Sequence, residues 1–256
     1  MRRFYKPSLW IPQHFLFTNP NLHHGLLTAY GGFGVAVTPQ YHPHFIFLIE
    51  HGFLIAIANV RGGGEFGEEW HRAGKRHKRK NAIDDFIAAA EWLVENRYTV
   101  PKKLAIAGGS NAGLLVGAAF TQRSDLFSVV VSIGPLFDML RYNLFDSANS
   151  LTDEYGTAEK RDDFEHLMTY SPYHRVRDGL RYPAVMIVSG DADTRCNPMH
   201  ARKMTARLQA ASSSKRPVLL EYTRDWGHEP VQPLSRRIDA LTDRLAFLCH
   251  ELGVAP

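Results

Sequence analysis

The chain alternates short, uninterrupted apolar runs with stretches of helical period, and this alternation limits its fold more than any other feature. Residues 53–60 read FLIAIANV, and 26–30, 104–107, 127–133, 184–189 and 218–222 are likewise short and apolar. Runs of this kind suit strands that are covered on both faces. Another short strand is read at 14–17, separated from 26–30 by a polar turn. Between the strands, 81–96 places Ile83, Phe86, Ile87, Ala90 and Leu93 near a period of 3.6, with Asp84 and Asp85 at its start; this is an amphipathic helix. Segments 111–122, 199–209 and 236–251 also read as helices. The expected fold is α/β, with a mostly parallel central sheet and helices on both faces. Such sheets bind ligands at the carboxyl ends of their strands, so the loops after the strands are where chemistry is expected. Segment 135–171 breaks the alternation. It is polar, carries Asp138, Asp146, Asp153, Glu154, Asp162 and Asp163, and is expected to form helical excursions over the site.

Composition narrows the function classes. The 256 residues are 45% apolar and 22% charged, which fits a globular chain with one large core and excludes a disordered or fibrous one. No repeat of about 20–50 residues is visible, which argues against a solenoid or a propeller within the chain, and residues 1–256 are read as a single domain. Two cysteines, Cys196 and Cys249, exclude a disulfide scaffold and a cysteine zinc cluster. The most apolar stretch, 45–58, is interrupted by Glu50, His51 and Gly52, so no membrane span is expected. The opening MRRFYKPSLWIP lacks an apolar segment after its basic residues and does not read as a signal peptide, which makes the cytoplasm the expected location. Thirty Lys and Arg against twenty-six Asp and Glu leave a mild +4. The basic run Lys75-Arg76-His77-Lys78-Arg79-Lys80 reads as a solvated loop. No interleaved aromatics accompany it, so no nucleic-acid partner is expected. His42 and His44 have no third ligand at sensible spacing, so no metal is expected. Gly62-Gly63-Gly64 lacks the Lys-Ser/Thr of a phosphate loop and reads as a tight chain reversal near the site.

The strongest chemical signal is Gly108-Gly109-Ser110-Asn111-Ala112-Gly113, between a strand and a helix. A serine on a sharp strand-to-helix turn needs small neighbours, because the crossing backbone leaves no room for side chains. Gly108 and Ala112 meet that demand. The segment lacks a Walker ending and a G-x-G-x-x-G pattern, so no phosphate-bearing cofactor is expected. A serine hydroxyl needs a base, and the base needs an orienting acid. The strand at 184–189 runs into Asp191 and Asp193, either of which can be that acid. The last strand leads through Trp226 and Gly227 to His228. Of thirteen histidines, His228 is the one that follows the last strand and precedes the last helix. Ser110, then an acid, then His228 is the chain order of the α/β-hydrolase fold.

These segments resemble the catalytic domain of the prolyl oligopeptidase family of serine peptidases. The resemblance rests on Tyr30-Gly31-Gly32-Phe33, on Asn59-Val60-Arg61-Gly62-Gly63-Gly64-Glu65-Phe66-Gly67 with Trp70-His71, and on Asp84-Asp85-Phe86. It continues through the serine turn, Asp125-Leu126-Phe127, Asp138-Met139-Leu140, Glu154-Tyr155-Gly156, Tyr170-Ser171-Pro172, Asp193-Thr194-Arg195 and Gly227-His228. It implies an α/β-hydrolase fold and a serine endopeptidase acting after proline on peptides, without a cofactor. Ser110 matches the nucleophile, Asp193 the acid and His228 the base. Asn111, by its backbone amide, and Tyr30, by its hydroxyl, match the oxyanion donors. Arg195 matches the residue that binds a substrate carbonyl, and Phe33 and Tyr155 match walls of the proline pocket. Two positions depart from the pattern. Leu151 stands where a tryptophan is usual, with Trp226 a candidate substitute face, and Cys196 stands where valine is usual. The family's β-propeller has no counterpart in this sequence, so the face it covers is expected to be exposed and to favour self-association. Alternatives on the same residues are an esterase, a broader oligopeptidase, or an inactive fragment acting as an interaction module.

Overall fold

The computed structural model of the protein describes residues 22–228 and 233–255, together with the backbone of 8–10. Among the described residues seven strands form one sheet: β1 (Ser8–Trp10), β2 (His24–Thr28), β3 (Phe53–Ile57), β4 (Leu104–Gly109), β5 (Val129–Ile133), β6 (Ala184–Gly190) and β7 (Val218–Thr223). Their order is β1-β3-β2-β4-β5-β6-β7. Strands β2 to β7 run parallel, and β1 pairs antiparallel with β3. The strand expected at 14–17 lies outside the described residues.

Side chains of successive strand residues point to opposite faces, and both faces are apolar here. On one face Leu54 and Ala56 of β3, Val130 of β5 and Val185 and Ile187 of β6 join a single core. It is closed by α3 (Lys80–Glu95), α4 (Asn111–Gln122) and α8 (Met199–Ala211). The other face carries Phe53, Ile55, Val129, Val131, Met186 and Val188. Leu48 of α1 (Pro43–Glu50) and Phe247 and Leu248 of α9 (Leu234–Leu252) cover it. Helix α3 buries Ile83, Phe86, Ala90 and Leu93 of the expected stripe together with Ala82, while Ile87 is partly buried against the core. Among the described residues no helix is long and apolar enough to cross a membrane.

Several elements differ from expectation. Strand β2 ends at Thr28 and β3 at Ile57, because the chain turns out of the sheet towards the loops that follow. Helix α1 was unforeseen. Its sequence PHFIFLIE runs almost without a break into β3, and a continuous apolar run has no period that separates helix from strand. Pro43 at the helix start and Gly52, with φ of 81°, mark the two ends. The basic run at 75–80 is not a free loop: it contains a 3-10 turn, Arg76–Lys78, and leads directly into α3. Segment 135–171 does form helical excursions, including α5 (Thr152–Tyr155) and α6 (Arg161–Tyr170), followed by α7 (Pro172–Arg175).

One buried polar group ties the segment after β5 to α8. His200 is 1% exposed, and its Nδ1 accepts the amides of Phe137 at 3.3 Å and Asp138 at 3.0 Å. Burial pushes this imidazole down to about 4, against the pull of Asp138 and with the push of Lys203. The unfolded chain therefore takes up the proton first as pH falls. Stability from a neutral His200 is complete above pH 6.5, its ordinary value, and drains away as pH falls towards about 4. The loss is expected to approach about 3 kcal/mol. Urea midpoints at neutral and acid pH check this: His200→Asn, which keeps an acceptor but cannot titrate, is expected to lose distinctly less.

Candidate active site

The sheet has one point where successive connections leave in opposite directions. From β2 the chain passes outward to β3, whereas from β4 it passes the other way to β5. The carboxyl ends of β2 and β4 therefore border an open crevice, the place where sheets of this kind hold ligands. Tyr30 follows β2 there, and Ser110 follows β4.

Ser110 is held in a left-handed conformation, φ 56° and ψ −121°, at the start of α4. Its amide donates to Ile133 O of β5 at 2.8 Å. A non-glycine residue in this region is strained and needs surrounding structure to hold it there. The turn is tight enough that a methyl on Gly108 would stand 2.5 Å from Ala112 O. Asn111 opens the helix, so its amide has no carbonyl one turn back within α4 to donate to.

The structure brings Asp193 and His228 to the same rim. His228 Nδ1 lies 2.9 Å from Asp193 Oδ2, and Nε2 lies 2.9 Å from Ser110 Oγ. With the Nδ1 proton donated to the carboxylate, Nε2 is left to accept the serine hydroxyl. Asp193 is 4% exposed, and its Oδ1 accepts the amides of Arg195 at 3.0 Å and Cys196 at 2.7 Å. Asp191, the other acid left open by the sequence, instead accepts the Asp225 amide at 2.6 Å and steadies the loop before His228.

Tyr30 meets Ser110 from the β2 side through a side-chain hydrogen bond. Burial raises the phenol above its ordinary value, although Ser110, Arg195 and Arg79 pull it down. It therefore stays protonated at neutral pH beside the serine. Phe33 and Tyr155 stand edge to face with ring centres 5.7 Å apart. Tyr155 is 1% exposed and Phe33 37%, so Phe33 is the outward wall of the pair. The Tyr155 hydroxyl donates to Asn111 Oδ1 at 2.8 Å. Arg195 is exposed beside this rim.

Other residues fall differently from expectation. Trp226 is buried with Phe247 and Leu248, under the Arg244 guanidinium, and does not offer an open aromatic face. Leu151 is partly buried against the main core. Cys196 is buried against the serine, and burial pushes its thiol up, so it remains protonated at neutral pH. Ligand atoms of Asp193, Cys196 and His228 lie within 4.8 Å of one another, but both ring nitrogens of His228 are already engaged in the contacts above. The rings of His42 and His44 sit 5.3 Å apart, both packed on Phe45. The glycine run at 62–64 does reverse beside the site, exchanging backbone bonds with Gly34 and Val35.

Four residues in or around the site went unrecognised as such in the sequence. Arg79, within the basic run, is fully buried and reaches Gly31 and Asn111. Glu154 accepts the Phe33 amide at 2.9 Å, and His71 meets Glu154 at 2.9 Å. Cys196 was noted only for differing from valine. The available signal was position: Arg79 directly precedes the amphipathic helix, and Glu154 adjoins Tyr155.

A model of the prolyl oligopeptidase family matches residues 39–255. The prolyl endopeptidase of Elizabethkingia meningoseptica is 40% identical over 230 residues, which cover 90% of this chain and 33% of that protein. The prolyl endopeptidase of Dictyostelium discoideum is 40% identical over 232 residues, covering 89% and 30%. Among solved structures, one from a mechanistic analysis of two prolyl endopeptidases superposes with a TM-score of 0.89 at 46% identity, covering 91% of this chain and 35% of that one. Prolyl oligopeptidase B from Galerina marginata, bound to a 35mer hydrolysis and macrocyclization substrate, superposes at 0.88 with 33% identity, covering 91% and 33%. The chain thus spans about a third of the length of the curated relatives it matches.

The serine turn makes a sharp mutational demand. Gly108→Ala is expected to cost about 1–3 kcal/mol of stability by overpacking. A methyl on the neighbouring Gly109 finds its nearest heavy atom 3.6 Å away, and Gly109→Ala is expected to cost less than about 0.5 kcal/mol. Parallel urea titrations read the contrast.

Proposed function

The chain belongs to the prolyl oligopeptidase family, and from that footing we propose that it is a serine-type endopeptidase hydrolysing peptides after proline. The His228 ring carries this assignment, because its two nitrogens stand 2.9 Å from Asp193 and from Ser110. Ser110 Oγ attacks the scissile carbonyl carbon while its proton passes to His228 Nε2. The carbonyl oxygen becomes an oxyanion, which accepts hydrogen bonds from the Tyr30 hydroxyl and the Asn111 amide. Collapse of the tetrahedral intermediate expels the amine, which takes the proton from His228. Water then attacks the acyl-serine with His228 as base, releasing the acid and restoring Ser110. Asp193 holds the ring tautomer and stabilises the imidazolium. Arg195 takes a substrate carbonyl, and Phe33 with Tyr155 flanks the proline ring.

The same proposal covers residues 1–256 as one catalytic unit acting on peptides. Two free, buried cysteines suit a reducing, cytoplasmic compartment. Phe33, Val35 and Phe66 are 37%, 45% and 48% exposed, an apolar surface suited to self-association; light scattering reads whether the chain pairs.

Leu151 favours a second reading, a broader oligopeptidase or an esterase. A leucine lacks the flat face that stacks on proline, worth about 0.5–1.5 kcal/mol beyond burial.

Two experiments test these readings. Ser110→Ala is expected to abolish both labelling by a fluorophosphonate probe and cleavage of an acyl-Gly-Pro amide, and Tyr30→Phe to lower kcat by about a hundredfold or more. Labelling that persists without Ser110, or a wild-type chain that never labels, removes the serine-peptidase assignment. Leu151→Trp is expected to raise the preference for proline over alanine reporters by about two- to tenfold. An unchanged preference, with aryl esters cleaved far faster than amides, turns the assignment towards an esterase.

A further inference from the structure

Arg79 has no exposed surface at all, which is unusual for a residue type seldom buried without partners. Its Nη1 donates to Gly31 O at 2.5 Å and its Nη2 to Asn111 Oδ1 at 2.6 Å. Asn111 passes the connection on, with its Nδ2 donating to Tyr30 O at 2.5 Å. Glu154, 4% exposed, supplies the counter-charge: its Oε1 lies 3.9 Å from Arg79 Nη1 and accepts the Phe33 amide at 2.9 Å. The held segment is one that cannot hold itself. Gly31, Phe33 and Gly34 are all left-handed, with φ of 63°, 56° and 64°, and such backbone persists only where its surroundings over-determine it. Tyr30 O, Gly31 O and Phe33 N, three handles within four residues of that loop, are all taken by this buried charge network.

We infer that Arg79, neutralised by Glu154, is a positioning residue for the oxyanion donors. It touches no reacting atom. It fixes the loop that carries Tyr30 on one side and the side chain of Asn111 on the other, and so sets both donors relative to Ser110. The planar guanidinium spans two acceptors on different segments, which the point charge of a lysine does not reproduce. This inference rests on the proposed function above, because it concerns donors used in that reaction.

The test is Arg79→Lys in the full chain, assayed on an acyl-Gly-Pro amide. We expect kcat to fall about ten- to hundredfold, short of or equal to the loss of a whole donor, with KM moving less than about threefold. Lys78→Gln, an exposed change in the same basic run, is expected to behave as wild type. In a Tyr30→Phe background the added effect of Arg79→Lys is expected to shrink clearly below its effect in the wild-type chain, to the part carried through Asn111, since the two changes share the Tyr30 donor. Fully multiplicative losses would overturn the inference, because a general structural role is indifferent to Tyr30. Amide hydrogen exchange provides an arm that needs no turnover: residues 31–35 are expected to exchange faster in Arg79→Lys, with β5 and β6 unchanged. Unaltered exchange there overturns the inference even if the wild-type chain is inert to every substrate, a result that by itself removes only the proposed activity. Should Arg79→Lys fail to fold, Glu154→Gln, which keeps an acceptor for Phe33 but removes the charge, is read in the same ways and decides the matter.

Discussion

Everything reactive in this fold depends on a backbone pinch at Ser110. The chain leaves β4, reverses through a left-handed serine and enters α4 within three residues. Nothing local favours that path; Ser110 takes it because α4 is immobilised. Asn111 to Thr121 are all buried, packed between the sheet and α3 or α7. A helix with no free face cannot shift to relax the turn, so burial of apolar surface supplies the free energy that holds the serine in place. Gly108 is then required by contact with Ala112, and the rim facing Ser110 is fixed by the parallel register of β5 and β6, from which Gly134 and the Asp193 loop emerge.

Around that rigid centre the walls of the site are held by two forces. Segment 135–171 sets Phe137, Met139, Tyr142, Tyr155, Leu167 and Tyr170 into the main core, and between them buried charges with assigned partners fix its polar stretches. Asp138 is 1% exposed; burial opposes its ionisation, yet Lys203, His174 and Arg141 hold its carboxyl below the ordinary range. Asp163, 2% exposed, meets Arg76 and His77 and accepts the Thr157 amide. Lys75 reaches Asp153, and Arg79 reaches Glu154. Much of the basic run at 75–80 therefore clasps the acidic excursion at 153–163. Pairs of this kind contribute little as net stability, but removing one partner leaves a buried charge without compensation. They specify where the loops lie.

This division explains what could be read from the sequence. The amphipathic period of 81–96 and the short apolar runs bounded by polar turns are legible because burial alone determines them. The alignment of Ser110, an acid after β6 and His228 at strand ends is legible because chain order and loop position are properties of the line of residues. Helix α1 was not, since PHFIFLIE and FLIAI share one uniform apolarity and only Pro43 and Gly52 divide them. Arg79 was not, since a charge inside a run of charges looks solvated until the opposing acids are folded over it. Asp191 and Asp193 both follow β6 and their positions alone leave the choice open; the family resemblance points to Asp193, and in the structure Asp193 meets the His228 ring while Asp191 meets a backbone amide.

The two departures from the family pattern, Cys196 and Leu151, meet the site in different ways. Cys196 is tied to the site through its amide, which Asp193 accepts at 2.7 Å; a residue bound by its main chain can exchange valine for cysteine without moving the acid. Leu151 ends a 3-10 turn, Asp146–Leu151, just ahead of the helix that carries Glu154 and Tyr155, and its side chain is not among the network that positions those two. By contrast Gly108, Ser110 and Asn111 are each bound by a close approach, a strained dihedral or a side-chain bond that admits few substitutes. Position 151 can therefore vary while Ser110, Asn111 and Tyr30 keep their places, whereas Phe33 and Tyr155 cannot drift freely, because Glu154 and Asn111 bind them into the same network.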